Sequence, residues 1–304
     1  MSAVGGALIA TASILPAPPL GLDLYMAVPD DNPMTRRSVG LGSRLFRDKR
    51  LSRDGKVACA SCHVPARGFA TNAALSTGAF GRLGKRNAPS LVNRGYGRVF
   101  FWDGRTTSLE VQVLHPIQRS DEMDMTVPEA AARANIDALT LARALASYVR
   151  SIRSGNSRFD HFAAGDFGAL TALELNGLQV FRGKGNCTAC HVGPNFTDER
   201  FHNTGVAWRD GAFSDEGHAL VSRKATDRGA FKTPTLREVS RTSPYMHDGS
   251  ISTLLEVVDF YDRGGRPNVY LDREIRPRQF TADERHALVA FLYVLAGEIR
   301  EGWE

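Results

Sequence analysis

Two short runs restrict this chain more than anything else in it: Cys59-Ala-Ser-Cys-His63 and Cys187-Thr-Ala-Cys-His191. They use all of its cysteines, Cys59, Cys62, Cys187 and Cys190, and leave none for a disulfide or a thiol nucleophile. In Cys-x-x-Cys-His the two thiols stand about one helical turn apart, a spacing at which they can add to the two vinyl groups of a haem. The adjacent histidine then lies under the iron as its proximal ligand. Cys-x-x-Cys pairs also hold zinc. The repeated histidine at the next position, and the wide separation of the pairs, favour haem. The expected cofactors are therefore two covalent c-type haems, with His63 and His191 as proximal ligands. Covalent haem attachment takes place on the outer side of the bacterial inner membrane, so the expected location is the periplasm.

The surroundings of the two motifs repeat as well. Gly42-Ser-Arg-Leu-Phe-Arg47 precedes the first and Phe69 follows it; Gly177-Leu-Gln-Val-Phe-Arg182 precedes the second and Phe196 follows it. Each copy closes on an amphipathic helix. In the first, Leu141, Leu145, Tyr148 and Ile152 share a face. In the second, Thr281-Ala-Asp-Glu284 reads as a capping box ahead of Leu288, Phe291, Leu292 and Leu295. Strand signals are short and weak. The expected fold is mostly α, with two cytochrome c-like helical domains, each around one haem and joined by long loops. Their expected bounds are 35–160 and 161–304, with a hinge between Ser154 and Thr171. Residues 1–34 form an N-terminal extension, and Ala3 to Pro16 within it resembles the apolar part of a secretory signal, although no Lys or Arg precedes it.

Composition narrows the class of partner. With 42% hydrophobic and 23% charged residues, the chain reads as a globular protein. Its net charge of +5 is scattered, with no basic run of the kind that binds nucleic acid. No other stretch approaches the roughly 18–20 apolar residues that span a bilayer, so it is not expected to be an integral membrane protein.

From Leu41 onward the chain resembles the bacterial di-haem cytochrome c peroxidase family, which includes MauG. The resemblance rests on Leu45-Phe-Arg-Asp-Lys-Arg-Leu-Ser52, Arg86-Asn-Ala-Pro-Ser-Leu91, Phe101-Trp-Asp-Gly-Arg105, Phe201-His-Asn-Thr-Gly205, Thr233-Pro-Thr-Leu-Arg237 and Pro244-Tyr-Met-His-Asp-Gly249. It implies roles for particular residues. Glu122 stands where the family has its acid–base group, Gln112 where a side chain bonds ligand or water, and Pro116 between them. Trp102 stands where an indole lies between the haems. At the place where many members block the first iron with a second histidine, this chain has Ala79, which implies an open iron. Tyr261 stands where peroxide-detoxifying members have a methionine on the second iron. Leu254, Val258 and Tyr261 share one helical face. Met246 is a rival ligand outside the family position. Asn87 and the backbone carbonyls of Thr242 and Pro244 match the ligands of a calcium ion.

His202 and His247 lie in family motifs and are expected to support the second haem without ligating it. His115, His161, His218 and His286 are expected to be surface or hydrogen-bonded residues. Trp208 and Trp303 are expected to be structural. Three functions are compatible with these residues. The expected one is oxidation of a partner protein by hydrogen peroxide through a high-valent di-haem state. The alternatives are reduction of peroxide with electrons from a small cytochrome or copper protein, and electron carriage without catalysis.

Overall fold

Glycine sets the closest helix contacts in both halves of the chain. The computed structural model describes residues 17–303, so the apolar run from Ala3 to Pro16 lies outside the described residues. In the first half, α1 (Arg36–Phe46) packs on α2 (Ala138–Ser151). A Cβ on Gly42 would come within 1.9 Å of the Ala144 carbonyl oxygen, so only a bare α-carbon admits this approach. In the second half, α3 (Ala172–Arg182) is followed by α4 (Leu254–Asp262) and α5 (Ala282–Tyr293), and α3 packs on α5. There a Cβ on Gly177 would lie 1.9 Å from the Ala287 carbonyl oxygen. The aromatic contacts beside the crossings match too. Phe46 and Tyr148 have ring centres 5.0 Å apart, and Phe181 and Phe291 5.1 Å. The sequence repeat is thus a repeat of one crossing.

The helix faces read from the sequence are the buried ones. Leu141, Leu145, Tyr148 and Ile152 are enclosed in one core, and Leu288, Phe291, Leu292 and Leu295 in another. The Thr281–Glu284 capping box forms. The same device starts α3 at Thr171 and α4 at Thr253, satisfying backbone donors that a helix N-terminus otherwise leaves bare.

Short strands β1 (Arg153–Gly155), β2 (Phe201–Asn203), β3 (Trp208–Arg209), β4 (Ala212–Phe213), β5 (Ala230–Lys232) and β6 (Glu298–Arg300) pair antiparallel as β1–β6, β2–β5 and β3–β4. The β1–β6 pair bears on the expected hinge. Ser154 is fully buried, exchanges hydrogen bonds with the Asn93 side chain at 2.8 and 3.0 Å, and meets buried Glu238 through its hydroxyl. The segment after it begins a helix at Arg158. The start of the supposed hinge is therefore pinned, and the chain's end returns across it: Ile299 and Trp303 pack on the first core. The extension is also engaged, with Met26 and Met34 buried in that core.

The two halves meet through side chains that no periodicity announces. Arg86 joins Asp103 of the first half to Asp215 of the second at 2.7 and 2.6 Å. Arg94 reaches Glu199 at 2.7 Å. Among the described residues, no helix is long and apolar enough to cross a membrane.

Candidate active site

A cavity of about 1460 Å³ runs between the halves. Sites for one small ligand are typically about 300–1,000 Å³, so there is room here for more than one large group. Its wall includes Cys62 and His63 from the first motif and Cys187, Cys190 and His191 from the second. Cys59 lies against the first core. Both histidines are presented alike. His63 Nδ1 lies 3.1 Å from the Phe69 carbonyl oxygen and His191 Nδ1 lies 2.8 Å from that of Phe196. Phe69 and Phe196 both adopt left-handed backbone, with φ of 56° and 50°, which turns these carbonyls toward the rings. A ring that donates from Nδ1 to a carbonyl keeps its lone pair on Nε2, as a metal ligand requires. Burial favours the neutral form of each ring, and backbone hydrogen bonding opposes it only in part.

The zinc alternative finds little support in this geometry. Among the described residues, the cluster with metal-ligand spacing is Cys190, Asp198 and His202, which takes one thiol from one motif and none from the other. Three of the four cysteines line a large shared cavity and Cys59 lies beside it against the first core, an arrangement that fits two haems.

On the first-motif side, Gln112, Pro116 and Glu122 all reach the cavity wall. Burial raises the Glu122 carboxyl above its ordinary value, with Arg119 acting in the opposite direction. Ala79 is fully buried, and its backbone nitrogen donates to the Glu122 carbonyl at 2.6 Å. The histidines that line the cavity are His63, His191, His202 and His247, so the 76–84 loop supplies none.

On the second-motif side, Tyr261 faces the cavity together with Leu254 and Val258. Its hydroxyl has no hydrogen-bond partner among the described residues, and burial pushes it well above the ordinary phenol range. Met246 is also in the wall. His202 is engaged at both nitrogens, 2.6 Å from Asp272 and 2.9 Å from Asp198. His247 is buried, with its ring stacked 3.7 Å from Phe231. The other histidines are engaged or peripheral. His218 Nδ1 lies 2.7 Å from the Asp103 carbonyl, His115 packs edge-on to Phe101, and His161 and His286 are exposed. Trp208 packs on Phe213 across the β3–β4 pair.

Trp102 lies in the cavity wall and is fixed from both halves. Its indole donates to the Asn87 carbonyl at 2.8 Å, and its own carbonyl accepts from the Lys232 backbone at 2.8 Å. Asn87, Thr242 and Pro244 share this wall. The Asn87 backbone donates to the His247 carbonyl at 2.8 Å, bringing the 242–249 segment against it. The oxygens gathered there are neutral, so a calcium ion would keep water in much of its shell.

Sequence reasoning missed two charged groups. Lys232 is buried in the wall, its ammonium 3.0 Å from the Thr233 carbonyl oxygen and 4.0 Å from Glu199. Burial and the charge of Arg94 bring it down to about 7. Arg119 sits beside Glu122, and its spacing of three residues within a turn was the signal available.

Comparison with known proteins agrees with this geometry. The family model for di-haem cytochrome c peroxidase matches residues 36–138. The methylamine utilization protein MauG of Methylorubrum extorquens is 38% identical over 291 residues, covering 89% of this chain and 81% of its own. The cytochrome-c peroxidase IdrP2 of Denitromonas iodatirespirans is 36% identical, covering 90% of this chain and 85% of its own. A solved MauG-like protein associated with microbial copper homeostasis superposes with a TM-score of 0.84 at 34% identity, covering 94% and 95% of the two chains. The chain belongs to the di-haem cytochrome c peroxidase family. It is a peroxidase-type oxidoreductase.

Proposed function

We propose that the protein uses hydrogen peroxide to oxidise a partner protein, in the manner of MauG, from a periplasmic location. The haems would be held by Cys59, Cys62 and His63 and by Cys187, Cys190, His191 and Tyr261; when bound they supply the redox chemistry. The chain's own residues manage protons and position. Glu122 takes a proton from peroxide and returns it to the departing oxygen. Gln112 orients the peroxide, and Pro116 keeps the wall beside it apolar. Trp102 bridges the two sites with a readily oxidised ring held at both ends. Calcium bound near Asn87, Thr242 and Pro244 would stiffen the wall that holds Trp102.

The observation that carries this reading over peroxide detoxification is Tyr261, a half-buried phenol that lines the cavity near Cys187 and Cys190, with no hydrogen-bond partner among the described residues. Methionine is a soft ligand that favours reduced iron. A phenolate is hard and anionic, favours oxidised iron, and suits storage of an oxidising equivalent rather than intake of electrons from a small carrier. The test is to add stoichiometric peroxide to the diferric protein and follow its near-infrared and EPR spectra. A long-lived charge-resonance band without prior reduction supports the proposal. Turnover that needs prior reduction and a reduced cytochrome would point instead to reduction of peroxide with electrons from a small carrier, and the relative IdrP2 is named a cytochrome-c peroxidase.

A further inference from the structure

The turn that carries Glu122 also carries a cation. Arg119 Nε lies 3.0 Å from Glu122 Oε1. The same guanidinium also grips Asp121, with Nη2 2.5 Å from Oδ2 and Nε 2.9 Å from Oδ1. One fork is thus shared between two consecutive carboxylates, and all three side chains reach the cavity wall. The backbone keeps them in place. The Arg119 carbonyl accepts from Glu122 N at 3.0 Å and Asp124 N at 2.9 Å. From the facing loop, Arg82 Nη1 donates to the Ser120 carbonyl at 2.9 Å. Gly78 packs so closely that a Cβ there would lie 2.3 Å from the Asp121 carbonyl oxygen and 2.5 Å from that of Glu122. Glu122 nevertheless keeps 36% of its side chain accessible, on the cavity side.

We propose that Arg119 is the positioning residue for Glu122: its guanidinium pairs with the carboxylate and fixes it at the cavity wall, while Asp121, which takes hydrogen bonds from the same guanidinium, limits that grip. This rests on the reading of Glu122 as the acid–base group. In the step concerned the O–O bond of peroxide breaks: Glu122 accepts one proton from peroxide and returns it to the departing oxygen, which leaves as water, while a bound haem would supply the two electrons and keep the other oxygen. Arg119 gains and loses nothing. A cation beside a carboxylate favours its charged form, whereas burial and a second carboxylate oppose it. The charged and titratable groups around Glu122 are Arg119 and Asp121 on its own turn, Arg105 from the Phe-Trp-Asp-Gly-Arg segment, and the Cys59 and Cys62 sulfurs across the cavity. Arg86 faces Arg119, and Lys85 faces Asp121. Burial raises Glu122, Arg119 lowers it, Asp121 raises it and Arg105 lowers it, in that order of weight.

The test uses the haem-loaded enzyme and the rate of its reaction with peroxide as a function of pH. In Arg119→Gln the acid limb should move up by about one pH unit. Arg119→Lys, which restores the charge but not the fork, should move it less. Asp121→Asn should move it down, because it removes an opposing charge and frees the guanidinium for Glu122. The opposed shifts are not expected from a merely structural role, and Arg119→Lys decides the matter should Arg119→Gln fail to fold, an unmoved limb there overturning the role of the guanidinium fork. A limb abolished by Glu122→Gln but unmoved in the Arg119 and Asp121 variants would overturn the role of Arg119 alone. An unchanged limb in Glu122→Gln would overturn the reading of Glu122, and this proposal with it.

Discussion

Tyr261 is the residue on which the account turns. It sits on the cavity face of α4 with Leu254 and Val258, close enough to Cys187 and Cys190 for their charges to bear on its hydroxyl. A buried tyrosine in an ordinary core finds a hydrogen-bond partner for its hydroxyl. Tyr245 shows that behaviour, donating to the Val239 carbonyl at 3.0 Å. Half-buried Tyr261 has no such partner among the described residues, and it lines the cavity that both haem-attachment motifs reach, which is what the proposal that it is a ligand rests on. Replacing it with methionine exchanges a hard anionic donor for a soft neutral one. Tyr261→Met is expected to raise the potential of the second haem by on the order of 100 mV or more, read by spectroelectrochemistry, while the first haem stays where it was. An unchanged potential and visible spectrum would remove Tyr261 from the iron.

At the scale of elements, the two crossings make a prediction with an internal control. α1 contains Gly40 and Gly42, two residues apart and so on different faces. Gly42 meets the Ala144 carbonyl, whereas the nearest atom to a Cβ on Gly40 is the end of Arg44, 4.0 Å away. Gly42→Ala should destabilise the holoprotein by about 1–3 kcal/mol through overpacking. Gly40→Ala should stabilise it by up to about 1 kcal/mol through helix propensity. Chemical denaturation compares the two, and equal effects would contradict the crossing.

The crossings also explain what could be read from the sequence. The segments around Gly42 and Gly177 recur in both copies and apolar residues fall at helical spacing in α2 and α5, so the repeat and the buried faces of α2 and α5 were legible. Glu122, Gln112 and Pro116 were placed by the family resemblance, and all three reach the wall. The β1–β6 pairing, the buried ammonium of Lys232 and the Arg86 bridge were not legible. The pairing and the bridge join residues far apart along the chain, and the ammonium is buried by its surroundings in the fold, so none of the three leaves a period behind. Arg119 was passed over because a charged residue in a charged turn ordinarily reads as solvated surface.

For the whole molecule, buried charge is part of what holds the halves and their extension together. Arg237 is almost wholly enclosed and ties the Asp160 carboxylate at 2.6 Å to the Pro194 carbonyl at 2.8 Å and the Gly21 carbonyl at 2.9 Å. Removing one partner of such a buried pair typically costs about 3–5 kcal/mol. Glu110 sets a pH dependence. Burial opposes its ionisation, but Arg150 at 2.6 Å and the Asn32 amide at 2.6 Å overcome this and hold it down to about 2. A carboxylate depressed in the folded state adds stability above its unfolded value, and that stability is lost as pH falls through the folded one. The protein should therefore lose roughly 2–3 kcal/mol of stability from this group between about pH 4.5 and pH 2. Glu110→Gln should flatten that part of the acid-unfolding curve, and a curve of unchanged shape would exclude this origin.

The central claim is that two irons are held in unlike settings, one with a free face beside Glu122 and one closed by a phenolate. Resonance Raman and EPR spectroscopy of the resting ferric holoprotein tests it most directly. The account predicts one five-coordinate or water-bound iron, together with tyrosinate-to-iron modes that vanish in Tyr261→Phe. Two six-coordinate irons bearing only nitrogen or sulfur donors would contradict it.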